Sequence, residues 1–117
     1  MIIEIKNQDQ MIDFANKLAS LCKAGDVIAL NGDLGVGKSF FSRAFIRYLC
    51  GEDEEVPSPT FTLLQTYEGG GAEIYHFDMY RLESPDECLE LGVEEAFQEG
   101  ICLVEWADKI KPYLPWD

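Results

Sequence analysis

Gly32-Asp33-Leu34-Gly35-Val36-Gly37-Lys38-Ser39 is the stretch on which the reading of this chain turns. It fits the pattern G-x-x-x-x-G-K-[ST], in which glycines let successive backbone N–H groups curl around an anion while the following helix presents the positive end of its dipole. The pattern needs a strand before it and a helix after it, and both flanks are present. Upstream, Val27-Ile28-Ala29-Leu30 is an apolar run too short for a helix and bounded by turn residues, which predicts a parallel central strand buried on both faces. Downstream, Phe40, Phe41, Ala44, Phe45, Ile46, Tyr48 and Leu49 predict a helix that ends near Gly51. In such a loop Lys38 bridges the β and γ phosphates of a nucleoside triphosphate and the Ser39 hydroxyl ligates Mg²⁺. Gly32, Gly35 and Gly37 supply the conformational freedom.

Working outward, Ile2 to Ile5 alternates apolar and polar residues as a short strand does, and Asn7 stands as N-cap of a helix. Met11, Phe14, Ala15, Leu18, Ala19 and Cys22 give that helix one core-facing stripe, which ends near Ala24-Gly25. The segment from Glu52 to Pro59 carries four acids and two prolines and reads as an exposed loop. Thr60 to Tyr67 and Ala72 to Phe77 form an antiparallel hairpin around Glu68-Gly69-Gly70-Gly71. Ser84-Pro85-Asp86-Glu87 combines an N-cap serine, a first-turn proline and a glutamate at the third position, and starts a short helix through Leu91. Gly92 breaks it, Glu94 to Gln98 make another helical turn, and Ile101 to Trp106 read as a second buried strand. Ala107 to Leu114 form a last helix kinked at Pro112. The order of elements indicates an α/β fold: a P-loop NTPase-like mixed sheet with central parallel strands, an antiparallel hairpin portion and flanking helices.

Composition narrows the function classes. At 117 residues the chain is one domain by length, without room for a separate substrate domain. A formal net charge of −13 argues against broad electrostatic binding to nucleic acid or an anionic membrane and leaves room for a localised basic spot at most. The absence of an apolar run near the roughly 20 residues of a bilayer span, and of a signal peptide at Met1-Ile2-Ile3-Glu4, reads as cytoplasmic. Cys22, Cys50, Cys88 and Cys102 are scattered within mostly apolar stretches without a CxxC pair, as reduced thiols used as small hydrophobes are.

A phosphate loop binds nucleotide; hydrolysis also needs a carboxylate to organise Mg²⁺ and a group to position water. Asp78 follows Ile74-Tyr75-His76-Phe77 and Glu105 follows Leu103-Val104, both at strand ends where the edge of an open α/β sheet faces its ligand. Residues alone leave open which acid takes which role, and either could be a capping or surface carboxylate. Trp106 reads equally as a base-stacking ring or as a core residue. Thr60, in Ser58-Pro59-Thr60, is a candidate to reach Mg²⁺ or the γ-phosphate from a switch-like loop, the alternative being a plain turn. His76 reads as a structural histidine rather than a base.

Taken together, GDLGVGKSF at Gly32 to Phe40, PSPTFTL at Pro57 to Leu63, HFDMYRL at His76 to Leu82 and VEWADK at Val104 to Lys109 resemble, in matching order and over essentially the whole chain, the bacterial TsaE (YjeE) family. The resemblance implies a small ATPase needed for the threonylcarbamoyladenosine modification of tRNAs that read codons starting with A, using ATP and Mg²⁺ and working with TsaB and TsaD, of which TsaD carries the transfer chemistry. By motif matching it implies nucleotide contacts from Asp33, Leu34, Gly35, Val36, Gly37, Lys38, Ser39 and Phe40, with Trp106 near the base. Metal would fall to Ser39, Asp78, Glu105 and Thr60, and catalysis to Lys38, Asp78 and Glu105. Family members continue past the tryptophan segment with further β structure, so the resemblance implies a single P-loop ATPase domain over residues 1–117 that lacks those C-terminal strands. Two rival functions share the loop. A small-molecule kinase would need an acceptor pocket and lid, for which little chain is left, and a nucleotide-gated binding module would use the site to control assembly, with hydrolysis incidental.

Overall fold

The computed structural model describes residues 8–30, 35–57, 59 and 62–115, and for Gln8 and residues 35–39 it describes the backbone alone. The strand expected over Ile2 to Ile5 and the Asn7 cap lie outside the described residues. Helix α1 (Gln8–Leu21) is followed by β1 (Val27–Leu30), α2 (Gly35–Cys50), the hairpin of β2 (Leu64–Gly69) and β3 (Ala72–Asp78), a 3₁₀ segment (Pro85–Leu91), α3 (Val93–Glu99), β4 (Ile101–Glu105) and a second 3₁₀ segment (Ala107–Tyr113). The four described strands form one mixed sheet in the order β1-β4-β3-β2. β1 and β3 both run parallel to β4, and β2 is antiparallel to β3. The two inner places among these strands belong to β4, buried at every position, and β3, while β1 stands at the end of the order.

Each face of the sheet carries its own core. On one face the periodic stripe of α1 (Met11, Ala15, Ala19) and the aromatic stripe of α2 (Phe41, Phe45, Ile46) pack on Ile28, Leu30, Ile74, Ile101 and Leu103. Phe41 and Phe45, one helical turn apart, have ring centroids 6.1 Å from each other. Phe14, placed by its spacing in the α1 stripe, stands instead at the margin, 41% exposed, with its ring 6.3 Å from that of Phe41. The opposite face packs Phe77, Cys102 and Val104 under α3 and the two 3₁₀ segments.

Several boundaries differ from the sequence expectation for identifiable reasons. β2 begins at Leu64 rather than Thr60, because Leu63 adopts φ 68° and turns the chain before pairing starts. The acidic, proline-containing loop is not wholly exposed: Val56 and Pro59 are buried. The segment after Ser84 is 3₁₀, with Glu87 Oε1 accepting from the Glu83 and Ser84 N–H groups at 3.1 Å each and Gly92 ending it at φ 76°. In the last segment the break falls at Ile110 (φ −120°, ψ 30°), upstream of Pro112, whose missing N–H cannot continue the preceding turn. Gly69 does more than extend the turn: an added Cβ would lie 2.5 Å from the Leu49 carbonyl oxygen, so the hairpin needs glycine to approach the end of α2.

Cys22, Cys50, Cys88 and Cys102 are free thiols. Burial pushes Cys102 up to about 12, and its Sγ donates to the Ala96 carbonyl. Burial, then the charge of Asp26, pushes Cys22 to about 11. At pH 8 only about one Cys102 in ten thousand would be thiolate, so iodoacetamide at that pH should leave it unmodified in native protein and label it after unfolding, as read by peptide mass spectrometry. Phe45→Ala, which empties a fully buried ring site, should cost about 3–5 kcal/mol in urea denaturation. Leu21→Ala, at a side chain 71% exposed, should stay within about 0.5 kcal/mol.

Candidate functional site

The site is built by the ends of three parallel strands. Register pairs Leu30 with Glu105 and Glu105 with Asp78, so the last residues of β1, β4 and β3 form one row across the sheet. From Leu30 the chain passes through residues 31–34 into α2, and the glycine-rich stretch therefore leaves the sheet at that row. The next row on the same face is Ile28, Leu103 and His76, because residues two apart on a strand share a face. This is the face covered by α1 and α2. The helix starts at Gly35 rather than Phe40, so Gly35, Val36, Gly37, Lys38 and Ser39 lie in its first turns, and the leading N–H groups among them, up to the fourth, lack intrahelical acceptors.

Four buried polar or charged residues occur among those described, and Asp78, Glu105 and His76 are three of them, clustered at this edge. His76 Nε2 and Glu105 Oε2 are 2.5 Å apart, a short hydrogen bond between side chains that are 2% and 4% exposed. The pair is diagonal in the parallel ladder: His76 sits one row inward from Asp78, opposite Leu103. Asp78 is held at both ends, its N–H donating to the Leu63 carbonyl and its Oδ1 accepting from the Tyr80 N–H at 3.0 Å. Leu63 N–H in turn donates to the Pro59 carbonyl at 2.7 Å, which ties the end of the proline loop to the end of β3.

After Glu105 the chain turns through Trp106 in the left-handed region (φ 57°, ψ 43°), a conformation that costs a bulky residue roughly 1–3 kcal/mol. Trp106 N–H donates to the Leu30 carbonyl at 3.0 Å, and its half-buried ring packs on Tyr80 with centroids 4.9 Å apart. Lys109 Nζ lies 5.9 Å from the centroid of that tyrosine.

Of the residues singled out from sequence, the structure brings Asp78, Glu105 and Trp106 together at one sheet edge and leads α2 away from it. Asp33, Leu34 and Thr60 lie outside the described residues, as do the side chains of Gly35 through Ser39. Phe40 is half-buried against the α1–α2 core and lines a cavity of about 320 Å³ with Asn16, Arg43 and Arg47. The sequence reading missed the partnership of His76, whose signal was its place two residues before Asp78 on the same strand face, and the Tyr80 contact, which had none. Among the described residues no three His, Cys, Asp or Glu side chains are grouped to hold a metal ion unaided. Two carboxylates at adjacent strand ends do suit Mg²⁺, which takes one or two carboxylates and fills its shell with phosphate and water oxygens.

A parallel strand leading through a GxxxxGKS stretch into a helix, with acids ending the two neighbouring parallel strands, defines an α/β protein of the P-loop NTPase-like class. Residues 5–117 match the family model described as "Threonylcarbamoyl adenosine biosynthesis protein TsaE". The chain is 48% identical to the tRNA threonylcarbamoyladenosine biosynthesis protein TsaE of Rickettsia bellii, over 95% of this chain and 77% of that protein. It is 47% identical to the Rickettsia conorii protein of the same name, over 94% and 63%, and 44% identical to that of Bacillus subtilis, over 93% and 68%. The crystal structure of Bacillus subtilis YdiB superposes with a TM-score of 0.72 at 36% identity, covering 95% of this chain and 67% of that one. The chain thus belongs to the TsaE family and spans 63% to 77% of the length of these curated relatives.

The hydrogen bond from the Tyr80 N–H to Asp78 Oδ1 generates a test of the structural part of Asp78. Asp78→Asn keeps an oxygen for the Tyr80 N–H, whereas Asp78→Ala leaves that donor without it. Thermal or urea unfolding should show Asp78→Ala losing about 1–3 kcal/mol and Asp78→Asn clearly less; equal losses would mean that the turn does not depend on this hydrogen bond.

Proposed function

We propose that this chain is the ATP-binding and ATP-hydrolysing subunit of tRNA threonylcarbamoyladenosine biosynthesis, acting with TsaB- and TsaD-type proteins in the cytoplasm. The single observation that carries the catalytic part is the row Leu30, Glu105, Asp78, which sets two buried carboxylates beside the point where the chain enters Gly32 to Ser39. Family membership carries the pathway. Bound Mg²⁺–ATP would supply the phosphoanhydride that water opens and the divalent charge that offsets the phosphates.

The chain's own part is positioning and electrostatics. Backbone N–H groups from Asp33 to Ser39 would surround the phosphates, Lys38 would set its ammonium against the β and γ oxygens, and Ser39 would give its hydroxyl to the metal. Asp78 and Glu105 would divide metal holding and water orientation between them, with Thr60 closing from the loop that Pro59 and Leu63 tie to β3. Trp106, fixed by its hydrogen bond to Leu30, would present its indole near the base, with Phe40 beside the loop. With a net charge of −13 the chain would meet the modification machinery through proteins, and tRNA at most indirectly or locally.

Release of phosphate from ATP, measured for the chain alone and with the partner pair, tests this reading. Turnover should require Mg²⁺, rise with the partners, and fall about 100-fold or more in both Lys38→Ala and Glu105→Gln. Turnover indifferent to both substitutions in both conditions would sink the ATPase assignment. If Glu105→Gln still bound ATP and the partners and sustained many rounds of modification, the site would instead be a nucleotide-gated assembly switch.

A further inference from the structure

We infer that His76 is a positioning residue for Glu105: its imidazole donates Nε2–H to Glu105 Oε2 and fixes the orientation of that carboxylate at the edge of the phosphate-loop site. The inference deepens the ATPase reading and rests on it for its kinetic consequence. Its geometric part rests on the pair itself.

Glu105 ends β4, and its side chain has three rotors through which the carboxylate could swing. The 2.5 Å contact restricts that freedom by tying one oxygen to a ring that is itself buried, 2% exposed, and carried on the neighbouring strand. With Oε2 so engaged, Oε1 is the oxygen Glu105 has for water or metal. The tautomer follows from the hydrogen-bond inventory. Nδ1 of His76 is buried and has no partner among the described residues. A protonated Nδ1 would bury an N–H without an acceptor, whereas an unprotonated Nδ1 leaves only a lone pair there, so the one ring proton belongs on Nε2 facing the carboxylate. Position on the strand points the same way. Asp78, two residues along on the same face, pairs directly with Glu105, so His76 reaches Glu105 diagonally and leaves the metal edge of the row to the two acids.

Positioning predicts a specific pattern of rescue. The amide of glutamine extends to roughly where Nε2 of histidine lies, and that of asparagine only to the level of Nδ1. Expected, therefore, is a kcat for ATP about 10–100-fold lower in His76→Ala and His76→Asn, with KM for ATP changed by less than about threefold, and recovery of most of that loss in His76→Gln. A melting curve for each variant shows whether a loss follows unfolding instead.

The second readout needs neither ATP nor activity. His76 is the single histidine of the chain, so every imidazole signal in a long-range ¹H–¹⁵N spectrum of the ligand-free protein belongs to it. Expected are a protonated, exchange-protected Nε2 and an unprotonated Nδ1, with the protection lost in Glu105→Ala. A rapidly exchanging or Nδ1-protonated ring overturns the inference, and so do three folded variants that all retain wild-type kcat or lose it equally. A wild-type protein that shows the imidazole signature but no turnover with its partners counts against the ATPase reading, not against the pair.

Discussion

The parallel pairing of β1 with β4 and β4 with β3 is the constraint on which the rest of the molecule depends. Parallel strands in register finish at the same edge, and here that register brings Leu30, Glu105 and Asp78 into line. Two further backbone hydrogen bonds, from Trp106 to Leu30 and from Met79 to Glu105, extend the ladder just past the row. The acids cannot move apart without opening the sheet. Burying carboxylates is costly unless each has partners, and they are supplied locally: His76 for Glu105, and the Tyr80 N–H for Asp78.

The same constraint fixes α2 relative to the acids. Its Phe41, Phe45 and Ile46 are fully buried against the face that carries Leu30, Leu103 and Ile74, so the helix is fixed on that face by close packing as well as by its chain connection to β1. Core and site are therefore one mechanical unit on this face. The opposite face contributes differently: it anchors the segments after β3 and β4, including Leu82, Ala107 and Ile110, which begin directly beyond the two acids and set where Tyr80 and Trp106 meet.

Much of this was legible in the sequence, and what was not has a common cause. Val27 to Leu30 and Ile101 to Glu105 announce buried strands because runs of apolar residues of that length fit little else, and Met11, Ala15 and Ala19 announce a helix face by spacing alone. Asp78 and Glu105 could be recognised as strand-end acids one at a time, since each closes its own apolar run. Their alignment could not, because register is decided between strands. His76 and Glu105 are 29 positions apart and touch through a diagonal of the ladder, so the local pattern shows that His76 shares a strand face with Asp78 but not which residue it meets. Composition is equally blind to backbone sign: nothing in Glu105-Trp106-Ala107 announces a left-handed tryptophan, nor in Thr62-Leu63-Leu64 a left-handed leucine, since both conformations accompany backbone hydrogen bonds that Trp106 and Leu63 themselves make to residues elsewhere in the fold. Val56 reads as loop from its acidic and proline neighbours, yet it closes the α1–α2 core because that core needs an apolar lid where the helix ends.

The charge of the chain sharpens the reading of the site. A protein with 22 acidic and 9 basic residues is a poor host for a triphosphate on net charge alone. Distance resolves most of this, because surface carboxylates more than about 8 Å away are screened at physiological salt. Asp78 and Glu105 are a different matter: they are buried, scarcely screened, and sit where the proposed phosphates would lie. On the proposed reading, Lys38 and the α2 dipole would offset part of that repulsion. A divalent cation held by these carboxylates would offset the rest by supplying opposite charge to both anions. On the proposed reading, then, the same pair of buried acids that makes the site unfavourable to free ATP makes it selective for the magnesium complex, and the metal becomes part of how nucleotide is recognised as well as how it is opened.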